Sequence, residues 1–159
     1  MSNTPITPRG LARLYEQLKQ LREFDRPQNV RDIEVARAHG DLRENAEYHA
    51  AKERQGHIAG QMQHLETQIA IAQVIDPSTL SGTRILFGAT VTLVDLDQED
   101  APPMHYQIVG DLEADLAAGL ISISSPMARG LIGKEVGDEV TVTTPKGKRL
   151  LLIDAVEYK

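Results

Sequence analysis

Two runs of apolar residues, each spaced alternately by three and four and separated by a single glycine, constrain this chain more than any other feature. The first holds Leu11, Leu14, Leu18 and Leu21 and resumes at Val30 and Ile33. The second holds Tyr48, Ala51, Gln55, Ile58, Met62, Leu65, Ile69 and Ala72. Such spacing draws a narrow apolar stripe along a helix, and its natural cover is a second stripe of the same kind. Gly40 separates the two runs, so they are predicted to pair as an antiparallel coiled-coil hairpin that reverses at residues 41–43. This pairing sets Ile33 near Ala51, Leu21 near Gln63 and Leu14 near Ala70. At ~1.5 Å per residue the reversal lies about 45–50 Å from the base. Thr7-Pro8 reads as a helix start, with threonine as cap and proline in the first turn. Pro27 is predicted to kink the first arm or to begin a new helix. Asp76-Pro77 stops the second arm.

Beyond residue 77 the pattern changes. "TRILFGATVTLVDL" is β-branched and partly alternating, "QEDAPP" reads as a loop and "MHYQIV" as a strand. A short helix is predicted from Ser125-Pro126 to near Gly133. "EVTVTTPKGKRLLLIDAVEY" reads as a hairpin around a Pro-Lys-Gly turn. The fold class is therefore α+β in two domains. Residues 1–77 form the hairpin, and residues 78–159 form a small domain with a curved antiparallel sheet around a helix.

Composition mainly excludes. With no cysteine there is no disulfide framework and no thiolate chemistry. No stretch approaches the ~20 apolar residues of a membrane span, and the first residues lack an apolar signal core. A soluble, cytoplasmic protein with no membrane partner is expected. The net charge of −6 argues against bulk attraction to nucleic acid. Residues 1–77 carry 10 basic and 11 acidic side chains, whereas residues 78–159 carry 7 and 12. The acidic second half either keeps the protein soluble or docks on a basic protein surface.

At the reversal, "AHGDLRENAEYHAAKERQG" places Asp41 and Glu44 three residues apart. One reading is a capping box at the start of the second helix, where carboxylates also suit the helix dipole. A self-contained catalytic site lacks a third oriented group and a wall against water. A self-contained Mg²⁺ site lacks ligands, since that ion takes six oxygens. The remaining alternative is that the tip enters another molecule's active site and completes a ligand shell there. His39, His49, His57 and His64 have no coherent metal-ligand spacing.

"REFDRPQNVRDIEVARAHGDLRENAEYHAAKERQG" closely resembles the signature of the bacterial transcription elongation factors of the GreA/GreB family, on its GreA side. The likeness continues through "AQVID", "RILFGATVTL", "YQIVGDLEAD", "ISISSPMARGLIGKEVGD" and "TPKG", and so covers essentially the whole chain. The resemblance implies an FKBP-like C-terminal domain that binds the rim of the RNA polymerase secondary channel, and a hairpin that passes down the channel. The factor then stimulates the polymerase's own cleavage of the RNA 3′ end in backtracked complexes and is not itself an enzyme. Asp41 and Glu44 match the family's acidic tip, which shares Mg²⁺ with polymerase only in the complex; the free protein is expected to bind no cofactor. Arg37 and Lys52 match a basic patch facing the nascent RNA 3′ end. Arg43, Asn45 and Tyr48 adjoin the acidic pair as tip support. Ser125, Pro126 and Met127 fall in a segment expected to touch polymerase, and the protein is expected to be a monomer. Rival readings are a channel-occupying inhibitor without cleavage activity, an FKBP-like prolyl isomerase or chaperone, and a coiled-coil adaptor. Inhibitory relatives carry altered tips, an isomerase needs more aromatics than Phe87, Tyr106 and Tyr158, and an adaptor gives no reason for the acidic pair.

Overall fold

The computed structural model describes residues 3–98, 100–145 and 147–159. Glu99, in the predicted loop, and Lys146, in the predicted Pro-Lys-Gly turn, lie outside the described residues. The chain divides into two compact units. One is residues 11–72. The other joins residues 3–10 to residues 73–159. The boundary expected between residues 77 and 78 left residues 3–10 with the hairpin.

Those first residues join the second unit for a chemical reason. Strand β1 (Thr4–Ile6) pairs with β2 (Ala72–Val74), and the Ile75 amide donates to the Ile6 carbonyl at 2.9 Å. Glu113, only 5% exposed, then gathers three donors. Its carboxylate accepts from the Thr7 amide at 3.1 Å, the Gly110 amide at 2.8 Å and the Thr7 hydroxyl. A buried carboxylate without such partners is severely penalised, so these bonds fix the segment to the unit. Gly10 makes room for the arrangement, because a Cβ there would fall 2.2 Å from a Glu113 oxygen.

The hairpin unit is built from α1 (Pro8–Gln20), a π-helical turn (Leu21–Asp25), α2 (Arg26–Arg37) and α3 (Ala46–Ala70). Thr7 caps α1 as expected, its hydroxyl accepting from the Gly10 amide at 3.1 Å. Pro27 stands in the first turn of α2, as a new helical segment would have it, yet the backbone stays helical across the junction. Gln20, Asp25 and Arg26 all keep right-handed helical dihedrals, and the Arg26 amide reaches back to the Leu21 carbonyl. That five-residue step widens the turn just before the proline and accommodates a residue an α-helix interior rejects.

The wider turn also inserts one residue into the apolar phase. Continuing the spacing from Leu18 and Leu21 through an unbroken helix would bury Gln28, Asp32 and Val35. The buried residues are instead Asn29, Ile33 and Ala36, each one position later. The seam position expected at Val30 is therefore Asn29: Val30 is 45% exposed and Asn29 only 1%. Asn29 donates its side-chain amide to the Ala51 carbonyl at 2.9 Å, which ties the arms together in one register.

Helix α3, 25 residues and so about 37 Å long, buries Ala51, Ile58, Met62 and Leu65. Gln55, expected on this seam, is exposed and accepts from the Lys52 ammonium at 2.8 Å. It lines an open groove between the arms together with Asn29, Val30 and Met62. The helix ends at Ala70, and Ala72 belongs to β2 rather than to the seam. Asp76 caps a short 3-10 turn, Pro77–Thr79, by accepting from the Ser78 amide at 2.9 Å.

The second unit carries a five-stranded sheet in the order β5-β4-β3-β7-β6. Its strands are β3 (Thr90–Asp95), β4 (Met104–Val109), β5 (Leu120–Ser122), β6 (Glu139–Thr144) and β7 (Gly147–Glu157). The pairs β3–β4, β3–β7 and β6–β7 are antiparallel, with a bulge between Thr92 and Leu93. The β4–β5 pair is parallel, so the expected antiparallel sheet is a mixed one. Two 3-10 turns between β4 and β5 turn the chain so that Leu120 enters alongside Gln107. Helix α4 (Pro126–Leu131) covers the sheet with Ala128 and Leu131, both fully buried with Ile85, Val91, Leu93, Ile108, Leu151 and Ile153.

Candidate functional site at the hairpin tip

Residues 38–45 connect α2 to α3, and Asn45 joins the two helix ends. Its side-chain oxygen accepts from the Tyr48 amide at 3.0 Å and caps α3. Its side-chain nitrogen donates to the Ala36 carbonyl, in the last turn of α2. One side chain thus caps α3 and adds a second donor to the Ala36 carbonyl, which already accepts from the His39 amide at 3.1 Å. The reversal also uses Gly40 at φ 115°, a conformation that a side chain disfavours.

The capping box considered for Asp41 and Glu44 is not formed, because the helix starts at Ala46, five residues after Asp41, and Asn45 occupies the cap. Asp41 instead accepts from the Arg43 amide at 3.0 Å, closing a small turn inside the loop. Only one of its oxygens is engaged. Glu44 is exposed and has no hydrogen-bond or ion-pair partner among the described residues. Both carboxylates therefore stand at the end of the arm with lone pairs free.

The flanking residues divide by role. Arg43 engages through its backbone, its amide on Asp41 and its carbonyl 3.0 Å from His49 Nε2. Tyr48 is half-buried, and its ring lies edge-on to His49 with centroids 5.8 Å apart. His39 Nδ1 lies 3.5 Å from a Glu47 oxygen on the exposed surface. Arg37 ends α2, where a cation complements the helix dipole, and Lys52 lies in the second turn of α3. Both are exposed, and neither has an ion-pair partner among the described residues. Among the described residues no group of three His, Asp or Glu side chains is placed to hold a metal ion. No described helix is long and apolar enough to cross a membrane.

The segment at residues 125–127 is far along the chain from the tip and mostly structural. Ser125 caps α4 by accepting from the Ala128 amide at 3.1 Å, and Met127 packs against the sheet core. Pro126 is exposed. Nearby, Asp111 accepts from the Ser122 hydroxyl and, at 2.7 Å, from the Ser124 hydroxyl. These bonds hold its carboxyl below the usual range against a small opposing effect of burial, and the Arg129 charge lowers it further.

Sequence reading overlooked Asn29, Glu113 and the loop role of His49. The first had a readable signal, since Asn29 precedes Ile33 by four and so shares its face. Glu113 had none, because "DLEAD" reads as solvated surface.

A two-domain α+β chain with an acidic-tipped helical hairpin is the class these features define. Family models for "Transcription elongation factor, N-terminal" and "Transcription elongation factor, GreA/GreB, C-term" match residues 4–74 and 80–158. A transcription elongation factor GreA of Xylella fastidiosa is 52% identical over 155 residues, 97% of each chain. One of Caulobacter vibrioides is 53% identical over 158 residues, 99% of each chain. The crystal structure of GreA factor homolog 1 of Thermus thermophilus is 28% identical and aligns over 98% of this chain and 99% of its own, with a TM-score of 0.43. The chain belongs to the GreA/GreB family of transcription elongation factors.

Proposed function

We propose that this protein binds bacterial RNA polymerase and stimulates the polymerase's own cleavage of the RNA 3′ end in backtracked complexes. The sheet unit docks at the rim of the secondary channel and the hairpin carries Asp41 and Glu44 to the active centre. The observation that carries this reading is the pair itself: two carboxylates at the end of an arm, uncommitted to capping and paired with no cation among the described residues. Two carboxylates supply too few oxygens for a Mg²⁺ site of their own, so the remaining ligands are assigned to polymerase. Such an ion, when bound, supplies positive charge at the scissile phosphate and acidifies a water. Asp41 and Glu44 complete its shell, orient the water and accept its proton. Arg37 and Lys52, unneutralised by neighbouring acids, face the extruded RNA and bind its phosphates in a salt-dependent way.

The test adds an Asp41→Asn/Glu44→Gln variant to stalled, backtracked polymerase carrying end-labelled RNA. An amide nearly matches a carboxylate in size but ligates Mg²⁺ poorly and takes no proton. Cleavage is expected to fall about a hundredfold or more while the variant still competes with wild type for polymerase. Mn²⁺, which tolerates weaker shells, should restore part of the rate. Unchanged cleavage by a polymerase-bound double variant would sink the reading.

A further inference from the structure

The Glu44 carboxylate has no partner among the described residues, so its position depends on the backbone that carries it. The residues on both sides of it are tethered, Asn45 through its side chain and Arg43 through its carbonyl. On one side Asn45 is fixed by its bonds to Tyr48 and Ala36. On the other, the Arg43 carbonyl, which belongs to the Arg43–Glu44 peptide, is met by His49 Nε2 at 3.0 Å. A carbonyl oxygen only accepts, so Nε2 carries the hydrogen. The imidazole is itself oriented, standing at 65° to the Tyr48 ring. His49 is thus the side chain reaching from the rigid helix to the peptide that aims Glu44.

We propose that His49 is a positioning residue for Glu44, holding the Arg43–Glu44 peptide so that the carboxylate is presented in one direction when the tip reaches its target. The inference rests on the reading of Asp41 and Glu44 given above. A carboxylate on a free loop samples many directions and meets a metal or water in the productive one less often. A donor from the first turns of α3 removes that freedom without touching the reacting atoms.

The experiment measures RNA cleavage by backtracked polymerase across factor concentrations, separating the maximal rate from the half-saturating concentration. His49→Phe keeps a ring against Tyr48 and deletes the donor. His49→Gln keeps an N–H at similar reach. Phenylalanine is expected to lower the maximal rate about three- to tenfold, the range one hydrogen bond controls, with the half-saturating concentration unchanged. Glutamine should recover most of the loss. In a Glu44→Gln background, His49→Phe should have no further effect, since there is no carboxylate left to aim. Should His49→Phe lower the melting temperature, His49→Gln against His49→Met, matched in length, decides the same question. An unchanged maximal rate, or an equal loss with and without Glu44, overturns the inference. A normal rate for His49→Phe beside a dead Asp41→Asn/Glu44→Gln variant removes this inference alone, whereas normal cleavage by the double acid variant removes the reading beneath it.

Discussion

The sheet unit and the hairpin unit bury apolar residues in different geometries. In the sheet, Ile85, Val91, Leu93, Ile108, Leu131, Leu151 and Ile153 lose all solvent contact, because strands lie on either side of most of them and a helix lies over them. No apolar seam residue of the hairpin is sealed so completely, and the most buried side chain there is the polar Asn29. A sheet core extends in three dimensions, so each residue is held from all sides and the unit should melt as one. A two-helix seam extends along a line, so each residue is supported only by those across, above and below. The first geometry resists opening, and the second projects side chains far from the core at the cost of local stability.

The largest effect should come from Leu93→Ala. Leu93 lies in the central strand β3, opposite Ile153 of β7, and truncating it should cost about 3–5 kcal/mol. Calorimetry should show the sheet transition moving as a whole. A smaller cost, about 2 kcal/mol, is expected for Ile58→Ala, because a seam relaxes more readily than a closed core. Hydrogen exchange should show lost protection confined to α2 and α3. Equal loss of protection in the sheet amides would erase the contrast between the units. The smallest effect belongs to Asp111→Asn. The carboxyl is held below its usual value, about 3.8, by Ser122 and Ser124, so it adds stability above that pH and loses it as pH falls through the lower folded value. The difference between wild type and Asp111→Asn, followed by denaturant melts, should therefore be present at neutral pH and fade in acid. It should be slight, since solvent screens the site.

What was legible in the sequence follows the same division. Spacings of three and four gave both arms, the place of reversal and most of the seam, because a two-helix unit is dictated by local periodicity. Val30 was misplaced because the seam position is filled by the polar Asn29, which an apolar pattern passes over, and Gln55 because its spacing fits the seam while its side chain stays exposed with Lys52. The tip carboxylates were visible as a pair, but which of Asp41 and Asn45 caps α3 depends on where the backbone straightens, and both residue types suit the position. In the sheet unit, the Ser125-Pro126 start of α4 was plain from its cap chemistry. The three-residue strands β1, β2 and β5 were not, because "TPI", "AQV" and "LIS" are too short to show alternation and owe their pairing to distant partners.

The turn at Leu21–Asp25 behaves like a suppressed frameshift. One surplus residue is absorbed there, and every seam position beyond it is read one place later. Each residue of a helix turns it by about 100°, so the same surplus absorbed nowhere would swing the carboxylates a quarter-turn or more away from their present bearing. Removing one residue within the turn, together with replacing Pro27 by a helix former, keeps the arm in frame. Removing one from the middle of α2 does not. The direction in which Asp41 and Glu44 point is thus set partly by a proline fourteen residues before the first of them.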